Sequence, residues 1–256
     1  MEIWLVGITG LALVLWAVER FILTPRARRA AGEGGDLPPR AKIFEYAAAF
    51  LPVLLVVLCI RSFLYEPYRI PSGSMQPTLE IGDFIFVNKF AYGLRLPVTN
   101  TTVVELGTPK RGDVVVFKLP SDPRANFIKR MVGLPGDVIE YRNKRLHING
   151  EPIEVSEPVP LNPASPYSVR KAVEVLGQAS HDVHFMPGRI SREGSFRVPA
   201  GHYFVMGDNR DNSRDSRYPG VGYIPEDRLV GRAERIWFNW EIGSMPEWGR
   251  IGDAIN

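Results

Sequence analysis

The 256-residue chain has a single cysteine, Cys59, so it can form no intramolecular disulfide. Cys59 lies in an apolar run and reads as a small lipid-facing or packed residue. Cysteine and HExxH patterns are missing around His147, His181, His184 and His202, so solvated or hydrogen-bonded imidazoles are expected there, and no metal site. The acidic run Asp208 to Asp215 fails as a calcium loop. Arg210 stands where the third ligand belongs, Ser213 replaces the turn glycine, and Pro219 occupies the place of the bidentate glutamate. The net charge is only +3, and no Lys/Arg run is long enough for a nucleic-acid arm. There is no GxSxG elbow. Ser168-Val-Arg-Lys171 matches SxxK, but without the companion SDN and KTG boxes it reads as a chance match.

What the chain does have begins at its N-terminus. Ile3 to Leu23 is almost entirely apolar, 21 residues or about 30 Å of helix, the thickness of a bilayer core. A second apolar run extends from Ile43 to Leu64 and contains Pro52, which membrane helices tolerate. A cleaved signal peptide would open with basic residues; none precedes Arg20. The segment 24–42 between the runs carries five basic residues (Arg26, Arg28, Arg29, Arg40, Lys42) against Glu33 and Asp36. The positive-inside rule makes it cytoplasmic. Both termini, and the roughly 190 residues after Leu64, are then expected on the opposite side. The expected organisation is transmembrane helix 1 at 1–23, a basic loop at 24–42, transmembrane helix 2 at 43–64, a β domain at 65–142 and 196–256, and a smaller inserted lobe at 143–195.

Short β-rich runs predict strands at Phe84–Val87, Val114–Phe117, Phe127–Val132, Val138–Tyr141, Tyr203–Val205 and Arg235–Phe238. Arg145 to Val155 predicts a hairpin around Asn149-Gly150. The segment from about Glu157 to Gly194, rich in Pro, Ser, Gly and His, predicts irregular structure. The 22 prolines and 24 glycines fit a domain with many turns. Coiled antiparallel sheets are the expected architecture.

Ser72-Gly73-Ser74 sits between Pro71 and Pro77. A tight turn of this kind can aim a serine N–H and a neighbouring hydroxyl at one point, as an oxyanion hole requires. Taken alone, an ordinary turn explains it more simply. A serine nucleophile needs a base. In the run Phe127-Ile-Lys-Arg-Met-Val132, alternation puts Phe127, Lys129 and Met131 on one face and Arg130 on the other. Apolar neighbours desolvate an amine and lower its pKa. To act near neutrality Lys129 must fall about two units, at a cost of roughly 3 kcal/mol. A snorkelling surface lysine is the other reading.

Four segments in order carry a resemblance: Ile70-Pro-Ser-Gly-Ser-Met-Gln-Pro-Thr-Leu79, Arg111-Gly-Asp-Val-Val-Val-Phe117, Phe127-Ile-Lys-Arg-Met-Val-Gly-Leu-Pro-Gly-Asp137 and Met206-Gly-Asp-Asn-Arg-Asp-Asn-Ser-Arg-Asp-Ser-Arg217. Their order and spacing, with the two-span anchor, resemble the bacterial type I signal peptidases over nearly the whole chain. The resemblance implies a Ser–Lys dyad protease that needs neither metal nor cofactor. Ser74 would be the nucleophile, Lys129 the general base, and Ser72 the oxyanion-hole hydroxyl. Ser213 would orient the lysine, and Asp215 with Arg217 would form a supporting ion pair. Asp208 and Asp211 would hold the turn. Ile70, Met75, Leu79, Phe127 and Ile128 match positions lining shallow pockets for small substrate side chains, core packing being their other reading. The implied partners are precursor proteins with signal peptides, the lipid bilayer and a nearby secretion translocon, with no nucleic acid.

Two departures stand out. The exported cysteine pair of some relatives is missing, and Phe127 replaces a tyrosine, removing a hydroxyl near the lysine. The ten residues from Leu64 to Ser74 span at most about 36 Å, which keeps the nucleophile near the membrane surface. Trp237, Phe238, Trp240 and Trp248 suit either the lipid interface or core packing. Two other readings remain open: a self-cleaving Ser–Lys protease akin to the SOS repressors, and an inactive membrane-tethered β domain that binds or assembles other proteins.

Overall fold

The structure, a computed structural model, describes residues 2–31, 41–60, 64–95, 102–104, 106–241, 243 and 245–255. It divides into two units, one mostly helical that runs through Tyr65 and also includes Arg95, and one almost wholly β that holds the other described residues from Glu66 onward.

In the first unit, helix Glu2–Val18 packs against helix Lys42–Cys59. Both are long and apolar enough to cross a bilayer. Among their described residues, the ones removed from the surface are mainly small or polar (Thr9, Ala12, Ala47), together with Leu51. Small residues let two membrane helices approach closely. Large apolar side chains such as Trp4, Leu11, Phe50 and Val53 face outward all round the pair, as lipid-facing residues do.

The first helix does not stop at Leu23 as expected. It widens to a π-turn over Glu19–Leu23, where the Thr24 N–H bonds the Glu19 carbonyl, and then continues as helix Thr24–Ala31. The widened turn comes just before Pro25, which cannot donate and would crowd the carbonyl four residues back in a regular helix. Arg26, Arg28 and Arg29 therefore ride on helix rather than on a loop. The expected loop residues 32–40 and the segment 61–63 before Leu64 lie outside the described residues.

The second unit is built on a seven-stranded sheet in the order Tyr65–Arg69, Asp83–Asn88, Leu229–Asn239, Val114–Leu119, Asp122–Gly133, His202–Met206, Ile224–Pro225. From Asp83–Asn88 onward, neighbours pair antiparallel. Val114–Leu119 is covered on both faces, and its alternate residues enter different cores. Val114 and Val116 join Ile70, Met75, Leu79 and Ile85, while Val115, Phe117 and Leu119 join Met131 and Val205. This explains a continuous apolar run rather than an alternating one. All six predicted strands form, with longer bounds, and so does the hairpin at Asn149-Gly150, both of whose turn residues have positive φ.

A four-stranded sheet, Gly194–Arg197, Val138–Arg142, Arg145–Ile148 and Glu151–Pro152, crosses the expected lobe boundary at 142/143. The segment expected to be irregular contains a regular hairpin, Arg170–Leu176 paired with Ala179–Phe185. Its first strand alternates, with Ala172 and Leu176 buried. Val173 and Val175 point outward, whereas Glu174 is fully buried.

Candidate active site

Ser74 lies on a single turn of 3-10 helix, Gly73–Met75, between extended Ser72 and extended Gln76. Met75 and Leu79 anchor the turn from below. Both are fully buried in the core, and the Leu79 N–H bonds the Met75 carbonyl at 3.0 Å. Asn209 fastens it from above. Its backbone N–H donates to the Ser74 carbonyl at 3.2 Å, and its Nδ2 donates to the Gly73 carbonyl at 2.9 Å. Ser74 is left partly exposed, and Ser72 is exposed beside it.

Lys129 arrives from the strand Asp122–Gly133, opposite Val115. Its Nζ donates to Ser74 Oγ at 2.7 Å and to the Ile128 carbonyl at 2.8 Å. The side chain is only 3% exposed, and the Phe127 ring lies 5.6 Å from the amine. Burial brings its pKa down from 10.5 to about 8, and the charges of Asp215 and Asp208 act the other way without cancelling it. At pH 8 this raises the neutral fraction roughly a hundredfold over an ordinary lysine.

The segment 207–217 closes the site. Arg217 holds Asp215 through Nε and Nη2, both at 2.8 Å, and its Nη2 also reaches the Arg210 carbonyl at 2.6 Å. The Gly207 N–H donates to Asp215. Asp208 takes a bidentate bond from Arg130 at 2.8 and 2.7 Å and another from the Thr78 hydroxyl at 2.5 Å. Burial opposes the ionisation of Asp208, yet Arg130 beside it holds the carboxyl below its usual range. Asp211 accepts from the Met186 N–H, Lys144 and Ser191. Ser213 packs against Gly207, but its buried Oγ makes no hydrogen bond among the described residues. The bond from Ser213 to the lysine that the resemblance implies is therefore not formed here; the amine bonds Ser74 and Ile128 instead.

Of the expected pocket residues, Ile70, Met75 and Leu79 are core, while Phe127 and Ile128 stay partly exposed. His181 is buried, with Nε2 3.4 Å from Glu174 and 3.8 Å from Asp208, and burial lowers its pKa. The sequence reading missed three contributors: the clamp made by Asn209, the fully buried Arg130 that anchors Asp208, and Glu174. Asn209 and Arg130 lie within the quoted segments but carry no local signal of what they contact. Glu174 sits in the segment expected to be irregular.

Comparison with known proteins bears on this geometry. The family described as "Signal peptidase, peptidase S26" matches residues 43–238. Signal peptidase I of Pseudomonas fluorescens is 49% identical over 228 residues, covering 82% of this chain and 78% of the relative. Signal peptidase I of Pseudomonas aeruginosa is also 49% identical, over 224 residues with the same coverage. That of Haemophilus influenzae is 34% identical over 311 residues, covering 96% of this chain and 88% of its own. On this breadth of match, the chain belongs to the signal peptidase family of S26 peptidases.

Proposed function

We propose that this chain is a membrane-anchored serine endopeptidase that removes signal peptides from exported precursor proteins, with Ser74 as nucleophile and Lys129 as general base. The relatives' shared activity supports the substrate class. The single observation that carries the residue assignment is the 2.7 Å approach of a buried amine to the Ser74 hydroxyl.

The chemistry follows from that pair. Neutral Lys129 takes the Ser74 proton as Oγ bonds the scissile carbonyl carbon. The Ser74 N–H and the Ser72 hydroxyl receive the oxyanion. As the C–N bond breaks, the leaving amine takes the proton from Lys129. Lys129, neutral again, takes a proton from a water that adds to the acyl ester and returns it to Ser74 Oγ as the ester C–O bond breaks, freeing Ser74 and the signal peptide's new carboxylate. Between Asn126 and Lys129 the lysine strand pairs with Val114–Leu119, whereas His202–Met206 meets it only from Arg130 onward. An extended precursor segment can add along that open stretch by strand pairing, with Phe127 and Ile128 beside its small side chains.

The basic segment 24–42 would face the cytoplasm and the β domain the periplasmic side of the inner membrane, near the translocon that delivers precursors. The exposed aromatic face of Phe86, Trp237, Trp240 and Trp248 suits the headgroup region. The test is cleavage of a precursor in trans by the full chain in vesicles. Ser74→Ala and Lys129→Ala should each abolish processing, and EDTA should leave the wild-type rate unchanged. Full-speed processing by either alanine variant would end the assignment.

A further inference from the structure

The segment that fastens the nucleophile turn is itself held from outside by the hairpin Arg170–Leu176/Ala179–Phe185. The His184 N–H bonds the Asp208 carbonyl at 2.9 Å, and the Arg210 N–H bonds the His184 carbonyl at 3.0 Å. His184 thereby bridges in parallel to Asn209, the residue whose N–H and Nδ2 grip Ser74 and Gly73. Side chains lock the same junction. Arg210 gives both Nη groups to Glu174, Nη1 at 2.6 Å, and among the described residues those groups bond nothing else. Glu174 and Arg210 are essentially without exposure.

This ion pair is an odd choice for stability alone. An apolar pair of similar volume is commonly as stable as a buried salt bridge or more so. The strand buries the apolar Ala172 and Leu176 on the same face, yet places a carboxylate between them at Glu174. What the charged pair adds is direction, because a bidentate guanidinium–carboxylate contact fixes the position and plane of Arg210. Arg210 follows Asn209 directly in the chain and accepts Arg217 Nη2 at its carbonyl. Fixing it sets the Asn209 clamp on one side and the Arg217–Asp215 pair on the other.

We propose that Glu174, acting through Arg210, is a positioning residue for the nucleophile turn, so that the outlying hairpin 170–185 sets the alignment of Ser74 with the oxyanion site. The proposal rests on Ser74 being the nucleophile, and its effect is geometric. Glu174 is not among the charges that shift Lys129, and Asp215, which is, keeps its own bidentate contact with Arg217 when Glu174 is lost. Its loss should therefore lower kcat while leaving KM and the pH of half-maximal rate in place.

The experiment compares wild type, Glu174→Gln, the apolar pair Glu174→Met with Arg210→Met, and Ser74→Ala as full chains in detergent micelles. Each kcat is normalised to active sites titrated with an acylating serine reagent, so that misfolded enzyme drops out of the rate. A peptide aldehyde ending in alanine serves as a mimic of the tetrahedral state. The expected result is a kcat about tenfold to a hundredfold below wild type in both Glu174 variants. Aldehyde affinity should fall in step, with KM and the pH profile unchanged. A wild-type kcat per titrated site in the Met–Met pair would overturn the proposal, and so would an equal loss in KM alone. If Ser74→Ala cleaves normally, it is the nucleophile assignment that fails, whatever the Glu174 variants do.

Discussion

Gly207 lies against Ser74 so closely that a Cβ at position 207 would overlap the Ser74 carbonyl oxygen, and the Ser213 hydroxyl on its other side. Neither neighbour can retreat freely. The Ser74 carbonyl is held by the Asn209 N–H, and Ser213 is buried. Gly207→Ala is therefore expected to push the nucleophile turn away from Lys129. A displacement near 1 Å costs about a hundredfold in rate. Precursor cleavage should fall by that order while KM changes little. An alanine variant within about twofold of wild type would mean that the turn yields more easily than its bonds suggest.

The lysine sets a pH dependence with a definite sign. Only neutral Lys129 can accept the serine proton, and its pKa of about 8 puts half-maximal kcat/KM near that pH. The rate should climb from pH 6 to 9. The negative charge of Asp208 raises the lysine's pKa, so removing it should move the rising limb to lower pH. Asp208→Asn tests this in a pH–rate series on a short peptide substrate. A limb that stays put, or moves to higher pH, would contradict the electrostatic picture.

The aromatic face leads to a separation of substrates. Trp237 stacks on Phe86 at 5.5 Å and meets Phe84 edge-on at 5.5 Å, and Trp248 meets Phe238 at 6.2 Å. Trp248 is 67% exposed. If these rings enter the headgroup layer, Trp237→Ser with Trp248→Ser should slow cleavage of a vesicle-embedded precursor about tenfold, equivalent to about 1.4 kcal/mol of interfacial burial. Cleavage of a soluble peptide should not change. An equal loss on both substrates would point to core packing instead.

Parts of this architecture were legible in the sequence and parts were not, for physical reasons. The two apolar helices could be read because a run of about twenty apolar residues has the length and composition of a bilayer-crossing helix. The run Val114 to Phe117 could be read as a strand because it is covered on both faces. Ser74 and Lys129 are 55 residues apart in the chain. Neither neighbourhood encodes the other, so only the resemblance to a family joined them. The hairpin at 170–185 escaped because a charge stands in the middle of its buried face, between Ala172 and Leu176, and hydrophobic periodicity cannot register a carboxylate that is buried against an arginine elsewhere. The continuation of the first helix past Leu23 escaped because charge and proline read as a loop, whereas the backbone admits Pro25 after a widened turn.

The buried pair also gives the β domain an acid-sensitive joint. Burial opposes ionisation of Glu174, but Arg210, with His181 beside it, holds the pKa at about 2 instead of the usual 4.5. Such a depressed carboxylate contributes stability that is complete above its unfolded-state pKa and disappears as pH falls from there through its folded value. Asp208, depressed by Arg130, acts in the same direction. Thermal midpoints of the full chain in detergent, followed by near-ultraviolet circular dichroism, should hold steady above about pH 5 and then drop toward pH 2. Glu174→Gln leaves a buried guanidinium without its counter-charge, at a cost of about 3 kcal/mol or more. The variant should therefore melt lower at pH 7. Below pH 5 its curve should be the shallower of the two and close on wild type, because the titrating group is gone. Parallel curves across the whole range would show that the acid response resides in other carboxylates.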